Sequence, residues 1–273
     1  MGNWKKIIGS IALATAVAAT GFYFYYKQAL EAYSHKGGLV LEYHSISKQD
    51  WGPSLVVYPE VFEKHLQYLQ NNGYKMVTVE ELGQRLRQGQ SVDHYVALSF
   101  DDGYKDNYTT ALPLLQKYNA KATFLVITNR IGKDIYMNEA EINKMLDAGM
   151  EIGSHTCSHN ILTDIDPKYL TWEIGSSQFI IEQRFPKAKV RTLAYPNGSY
   201  NDAIIDKLKE YGYNQALTGH TGSNDAKLYK SEPMKMNRII IMDDGKGSEA
   251  FKGLLKRGFR RSLFLEWGID LGE

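Results

Sequence analysis

A single cysteine, Cys157, stands among 273 residues, so no intrachain disulfide can brace this chain and its stability must come from an apolar core. Net charge is nearly as scarce. The 32 Lys and Arg against 31 Asp and Glu leave +1, which removes the electrostatic argument for nucleic acid or a strongly acidic polymer as partner. No internal repeat or low-complexity tract is evident, so a solenoid is excluded and a globular domain is the default. The apolar fraction of 43% is ample for one large domain plus an appended segment.

The appended segment is at the N-terminus. Met1-Gly2-Asn3-Trp4-Lys5-Lys6 leads into an uncharged run from Ile7 to Tyr26, which as a helix spans about 30 Å, one bilayer core. Ala16-Val17-Ala18 resembles a signal-peptidase site, and cleavage there would yield a secreted protein. Phe22-Tyr23-Phe24-Tyr25-Tyr26 instead prolongs the run and supplies an interfacial aromatic belt, which predicts an uncleaved transmembrane anchor over residues 1–27. Lys5 and Lys6 outweigh Lys27, so the chain is expected to cross the cell membrane once with everything beyond it extracellular. Residues 28–37 read as a stalk ending in Gly37-Gly38, and residues 38–273 as the main domain.

Within that domain β-like runs alternate with helical ones, from a strand at Leu39–His44 and a helix at Pro59–Asn72 to a strand at Asn237–Met242 and a helix at Ser248–Arg257. Repeated βα alternation argues for an α/β fold with a parallel sheet, and seven or eight such units over about 220 residues favour a barrel.

Chemistry concentrates at two strand ends. Asp101 and Asp102 follow Ala97-Leu98-Ser99-Phe100, at the C-terminal strand end where α/β folds put reactive groups. Asp243-Asp244-Gly245 follows another apolar run, so Asp-Asp-Gly can equally be a plain turn. The second strand end, Glu151-Ile152-Gly153-Ser154-His155-Thr156-Cys157-Ser158-His159, holds two of only seven histidines, four residues apart. If this segment turns like a helix, both imidazoles face one point, and with a carboxylate they form a two-His, one-carboxylate set that leaves positions open for water and substrate. Cys157 should point away and pack as a small side chain.

These two motifs resemble, in order and separation, the first signatures of the NodB-homology polysaccharide deacetylases, carbohydrate esterase family 4. The resemblance covers Leu39 to Arg257. It implies a distorted (β/α)7-8 barrel and one divalent metal ion, usually zinc, bound by Asp102, His155 and His159 with Asp101 as general base. Leu193-Ala194-Tyr195-Pro196-Asn197-Gly198 is similar to the third family motif, with Tyr195, Pro196, Asn197 and Gly198 forming the loop that offers an N–H to the oxyanion. Ala194 departs from the family, which commonly carries there an Arg that orients the base. Leu41-Glu42-Tyr43-His44-Ser45 resembles the Tyr-His segment of the biofilm poly-β-1,6-N-acetylglucosamine N-deacetylases, which implies His44 as general acid; His220 is the alternative.

The remaining candidates are smaller. Tyr104, Tyr195 and Trp51 are candidates for stacking on sugar rings, Trp172 for the core, and Asp106 and Asn107 for helix capping. His35, His65 and His94 read as stalk or surface residues. The expected function is metal-dependent removal of N-acetyl groups from an extracellular N-acetylglucosamine polymer, with the polysaccharide and the membrane as partners. Rival readings are a deacetylase of peptidoglycan or another polysaccharide, and a catalytically silent sugar-binding module.

Overall fold

The computed structural model describes residues 3–48, 55–242 and 247–270, leaving out the side chains of residues 3–7, 9, 10, 12–14 and 247–249. In chain order the elements are α1 (Asn3–Ser34), β1 (Leu39–Tyr43), β2 (Ser45–Ile46), β3 (Val56–Val57), α2 (Pro59–Asn71), β4 (Lys75–Val77), α3 (Val79–Arg87) and β5 (Tyr95–Phe100). They continue with α4 (Leu112–Lys117), β6 (Thr123–Val126), α5 (Glu139–Asp147), β7 (Glu151–Ser154), α6 (Ser177–Arg184) and β8 (Thr192–Ala194). The last are α7 (Asp202–Glu210), β9 (Gln215–Leu217), α8 (Ala226–Ser231), β10 (Ile239–Ile240) and α9 (Gly247–Glu266).

Period-two alternation decides which way each strand faces. Leu39, Leu41 and Tyr43 of β1, Val96, Leu98 and Phe100 of β5, and Phe124 and Val126 of β6 join one core beneath the helices. The intervening Val40, Ala97, Leu125, Ala194 and Leu217 form a second apolar cluster with Leu82 and Leu86 of α3. The strands pair in parallel in the order β10, β1, β5, β6, β7, β8, β9, with β4 alongside the first half of β5. The result is a curled half-barrel. The expected distorted barrel is met in part: among the described residues β9 and β10 do not pair, and a bridge between Leu217 and Met236 links the far edge to the segment entering β10.

One end of the curl is sealed by polar groups. Glu151 accepts hydrogen bonds from Thr123 Oγ1 (2.6 Å), Thr192 Oγ1 (2.7 Å) and the backbone N–H of Glu80 at the start of α3 (3.0 Å). A carboxylate at a helix N-terminus is favoured by the dipole and by the unpaired N–H groups there. Next along β7, Gly153 lets neighbouring strands close in, since a Cβ there would meet Thr192 O at 2.8 Å.

The expected membrane span over Ile7–Tyr26 is not borne out, because among the described residues no helix is long and apolar enough to cross a membrane. Part of that span falls on side chains outside the described residues. Helix α1 runs unbroken through the expected boundary at residue 27 and most of the expected stalk. The expected aromatic belt is partly taken up by packing: Tyr25 stacks on Trp267 and Tyr26 stacks on Phe264. Helix α8 is capped by Asp225, whose side chain accepts from Leu228 N.

Candidate active site

The ends of β1, β5, β7 and β8 carry the reactive side chains to one rim. Asp102 Oδ1 lies 3.7 Å from His155 Nε2 and 3.6 Å from His159 Nε2. Donors of one tetrahedral ion with bonds of about 2.0–2.1 Å sit about 3.4 Å apart, so each histidine stands within a few tenths of an ångström of that spacing from Asp102, and all three donor atoms lie within 4.8 Å of one another. The tautomer fits as well. His155 Nδ1 is 2.9 Å from Ala194 O, and because a carbonyl only accepts, Nδ1 carries the proton and Nε2 keeps its lone pair for an ion. Burial, then the neighbouring His155, holds His159 below its usual pKa, so its neutral form dominates at neutral pH.

The two imidazoles do not converge through a helical turn. Residues 155–160 are irregular, and left-handed backbone at Thr156 (φ 65°) and His159 (φ 65°) folds the segment back. Asp102 (φ 71°) and Asn197 (φ 53°) are left-handed too. For a β-branched residue such as Thr156 this costs energy, and such positions persist where surrounding bonds over-determine them. Glu173, buried on a π-helical turn (Thr171–Ser176), supplies those bonds: it accepts from Cys157 N and Ser158 N, both at 3.0 Å, and from the Ser158 hydroxyl. Cys157 is buried as expected, whereas Trp172 is half exposed rather than in the core.

Asp101 is buried beside the triad, its Oδ2 3.8 Å from His155 Nε2. With Ala194 at the position where the family commonly carries an Arg, another group must hold Asp101. The structure answers with Arg238, just before β10. Arg238 Nη1 lies 2.8 Å from both Asp101 oxygens, while its Nε donates to Thr218 O at 2.9 Å and pairs with Glu42 Oε2 at 3.1 Å. Burial pushes the Asp101 carboxyl up, but Arg238, His155 and His44 together outweigh it and hold the group below its usual range, so it is ionised at neutral pH.

His44 follows β1 on the same rim. Donor atoms of Glu42, His44 and Asp101 lie within 4.8 Å of one another. His44 Nε2 is 3.7 Å from Glu42 Oε1, and its buried Nδ1 has no hydrogen-bond partner among the described residues. Burial lowers its pKa against the opposing pull of Asp101 and Asp102. Asp106 and Asn107, expected as helix caps, hold this turn instead: Asp106 accepts from Ser45 Oγ (2.5 Å) and Ile46 N (3.2 Å), and Asn107 Nδ2 donates to His44 O (2.8 Å).

Burial raises the pKa of Glu42 to about 7 despite Arg238. A carboxyl raised in the folded state favours folding below its ordinary pKa, and that contribution is lost as pH rises through about 7. Glu42→Gln is therefore expected to gain stability relative to the parent chain as pH climbs from 5 to 8, read as a growing difference in melting temperature. A constant difference across that range would contradict this.

Other expected positions fall elsewhere. Tyr195 is fully buried, with its hydroxyl donating to Met234 O at 3.0 Å and its ring stacked on Tyr200, so it cannot stack on a sugar. Pro196–Gly198 forms the expected turn, with Gly198 packed so tightly that a Cβ would lie 2.7 Å from Gly219 N. Tyr104 stays half-buried, stacked on Tyr136. Burial and the nearby Asp102 raise its pKa. His220 contacts Tyr200 and lines a separate cavity beside α8 and α9. His65, expected at the surface, is buried and stacks on Phe251 at 4.0 Å. Trp51 and Asp243-Asp244-Gly245 lie outside the described residues.

Residues 88–216 match the family model for polysaccharide deacetylase. The chain is 34% identical over 193 residues to the Bacillus subtilis protein YxkH, assigned as a polysaccharide deacetylase, covering 70% of this chain and 68% of that one. It is 26% identical over 251 residues to the poly-beta-1,6-N-acetyl-D-glucosamine N-deacetylase of Staphylococcus epidermidis, covering 82% and 84%. Among solved structures it is similar to the Streptococcus pyogenes deacetylase PplD in complex with acetate, with a TM-score of 0.74 and 27% identity, over 81% of this chain and 99% of that one.

Proposed function

Because this chain belongs to the polysaccharide deacetylase family, we propose that it removes N-acetyl groups from an extracellular N-acetylglucosamine polymer, poly-β-1,6-N-acetylglucosamine in the first instance, in a metal-dependent hydrolysis. The observation that carries this reading is the convergence of Asp102, His155 and His159 beside an ionised, arginine-held Asp101 and a buried His44. Asp102, His155 and His159 would hold the divalent ion, zinc in our reading. Such an ion supplies Lewis acidity, which acidifies water and draws charge from a carbonyl oxygen.

The protein's own groups divide the proton work. Asp101 accepts a proton from the attacking water through the carboxylate that Arg238 fixes, so its lone pairs stay aimed while its charge is kept. The turn offers the Asn197 backbone N–H to the developing oxyanion, a contribution of about 3–4 kcal/mol for a well-placed donor. The proton that Asp101 takes from water passes to the leaving amine nitrogen by way of His44, whose ring stands beside that carboxylate. The polymer assignment is supported by His44 at the end of the first strand and by the similarity to the staphylococcal enzyme along most of both chains. Export of the domain is part of the proposal and rests on the apolar run that follows Lys5 and Lys6.

The purified full chain is expected to release acetate from β-1,6-linked N-acetylglucosamine oligomers; release from peptidoglycan fragments alone would overturn the substrate, and release from neither would overturn the enzyme. His44→Ala should lower kcat about a hundredfold or more while leaving bound metal unchanged. If His220→Ala gives that result and His44→Ala does not, the acid is His220.

A further inference from the structure

A second constellation of metal-ligand type lies away from the rim just described. His35, one residue beyond α1, and Asp93 and His94, in the turn before β5, bring donor atoms within 4.8 Å of one another. Both His35 Nδ1 and His94 Nδ1 lie 2.7 Å from the same oxygen, Asp93 Oδ1. The other ring nitrogen of His35 faces Glu31 Oε1 at 3.8 Å, one helical turn back. At 3.8 Å this is an ion-pair contact rather than a hydrogen bond, and it puts a carboxylate on the side of the ring where metal-bound histidines commonly have one.

The backbone adds a separate argument. Tyr95 N donates to Val92 O (3.0 Å), which closes a turn over Asp93 and His94, and Lys75 N pins His94 O at 2.7 Å. His94 occupies a left-handed position (φ 56°) where Gly or Asn is the ordinary occupant. A histidine held there is presented toward Asp93 by a rigid turn, while His35 comes from the end of the N-terminal helix, 58 residues earlier. Both rings remain about half exposed and border a cavity between α1, α2 and α9, so an ion and its water have access.

We propose that His35, Asp93 and His94 form a second divalent-cation site, of zinc type, that clips the end of α1 to the turn before β5. Three protein donors with water completing the shell is the expected coordination, and the exposed side chains need to open by about 0.7 Å to reach the spacing of zinc donors. The ion would fix the angle at which α1 leaves the domain, and it takes no part in the chemistry at Asp101.

Zinc stoichiometry on the full chain tests this, by equilibrium dialysis at pH 7.5 followed by elemental analysis. The parent chain is expected to hold two zinc ions, His94→Asn one, Asp102→Ala/His155→Ala one, and the triple variant none. Asn tolerates the left-handed backbone, so His94→Asn keeps the turn while removing the ligand. His35→Ala should likewise weaken zinc binding at this site tenfold or more, and His94→Asn should leave acetate release unchanged. The clip is refuted if His94→Asn binds as much zinc as its parent, or if Asp102→Ala/His155→Ala binds none. Should the parent chain and Asp102→Ala/His155→Ala each bind one ion, the clip stands and the metal reading of the catalytic rim fails.

Discussion

Asp102→Ala is expected to abolish acetate release, with a loss of about a thousandfold or more, while the fold survives. Asp102 Oδ1 is the donor common to the two histidine contacts at 3.6 and 3.7 Å, so its removal leaves two imidazoles with no shared carboxylate. Two neutral nitrogens alone are a poor trap for a divalent cation, and the Lewis acidity assigned to that ion would go with it. Exhaustive chelation of the parent chain should give the same silence, and zinc or cobalt should restore turnover to the chelated parent but not to the variant. Full activity after proven metal removal would sink the mechanism. The variant should still melt cooperatively, because Asp102 sits on the rim rather than in either core.

Arg238→Met carries the second large effect, on activity and stability together. The guanidinium lies against Asp101 and Glu42 in a site where all three side chains are buried. Removing one partner from a buried ion network strands the other charges, at a cost of about 3–5 kcal/mol. Asp101 should then take up a proton to escape, so its pKa should rise and the acid limb of the kcat profile should move to higher pH. A role in packing alone predicts lower stability with an unmoved pH profile. Arg238→Lys separates the two further: it keeps a charge but loses the planar fork, so partial recovery of stability with little recovery of kcat is expected. An unchanged pH profile in both variants would remove Arg238 from the positioning of the base.

The uneven legibility of this site in the sequence has physical causes. Asp101, Asp102, His155 and His159 stood out because scarce ligand types at strand ends have few other uses, and their close spacing survives in the fold. The turn that makes His155 and His159 converge could not be read, since left-handed backbone at Thr156 is imposed by Glu173 from a later segment. Arg238 was hidden for a related reason. It stands 137 residues from Asp101, and a lone Arg after Met234-Lys235-Met236-Asn237 looks like an exposed cation until the strands stack. Ala194 suggested an unsupported base, but the fold draws the support from the opposite edge of the sheet and gives Ala194 a different task, that of a carbonyl fixing His155. Tyr195 misled in the other direction, because a phenol inside a motif loop reads as a platform, yet its hydroxyl has a buried carbonyl to satisfy. Strands and helices were legible wherever period two or 3.6 ran for a full element. Helix α1 was legible as a helix, but its docking onto the far end of the chain was not.

The late position of Arg238 has a bearing on how the protein is born. A chain threaded through a membrane or off a ribosome emerges from its first residue onward, so Asp101, Asp102 and both rim histidines arrive well before Arg238. Until Arg238 enters, no guanidinium stands against Asp101 to hold both of its carboxylate oxygens. The site is thus expected to stay incomplete until residue 238 has been delivered, and a chain truncated after Met236 should release no acetate.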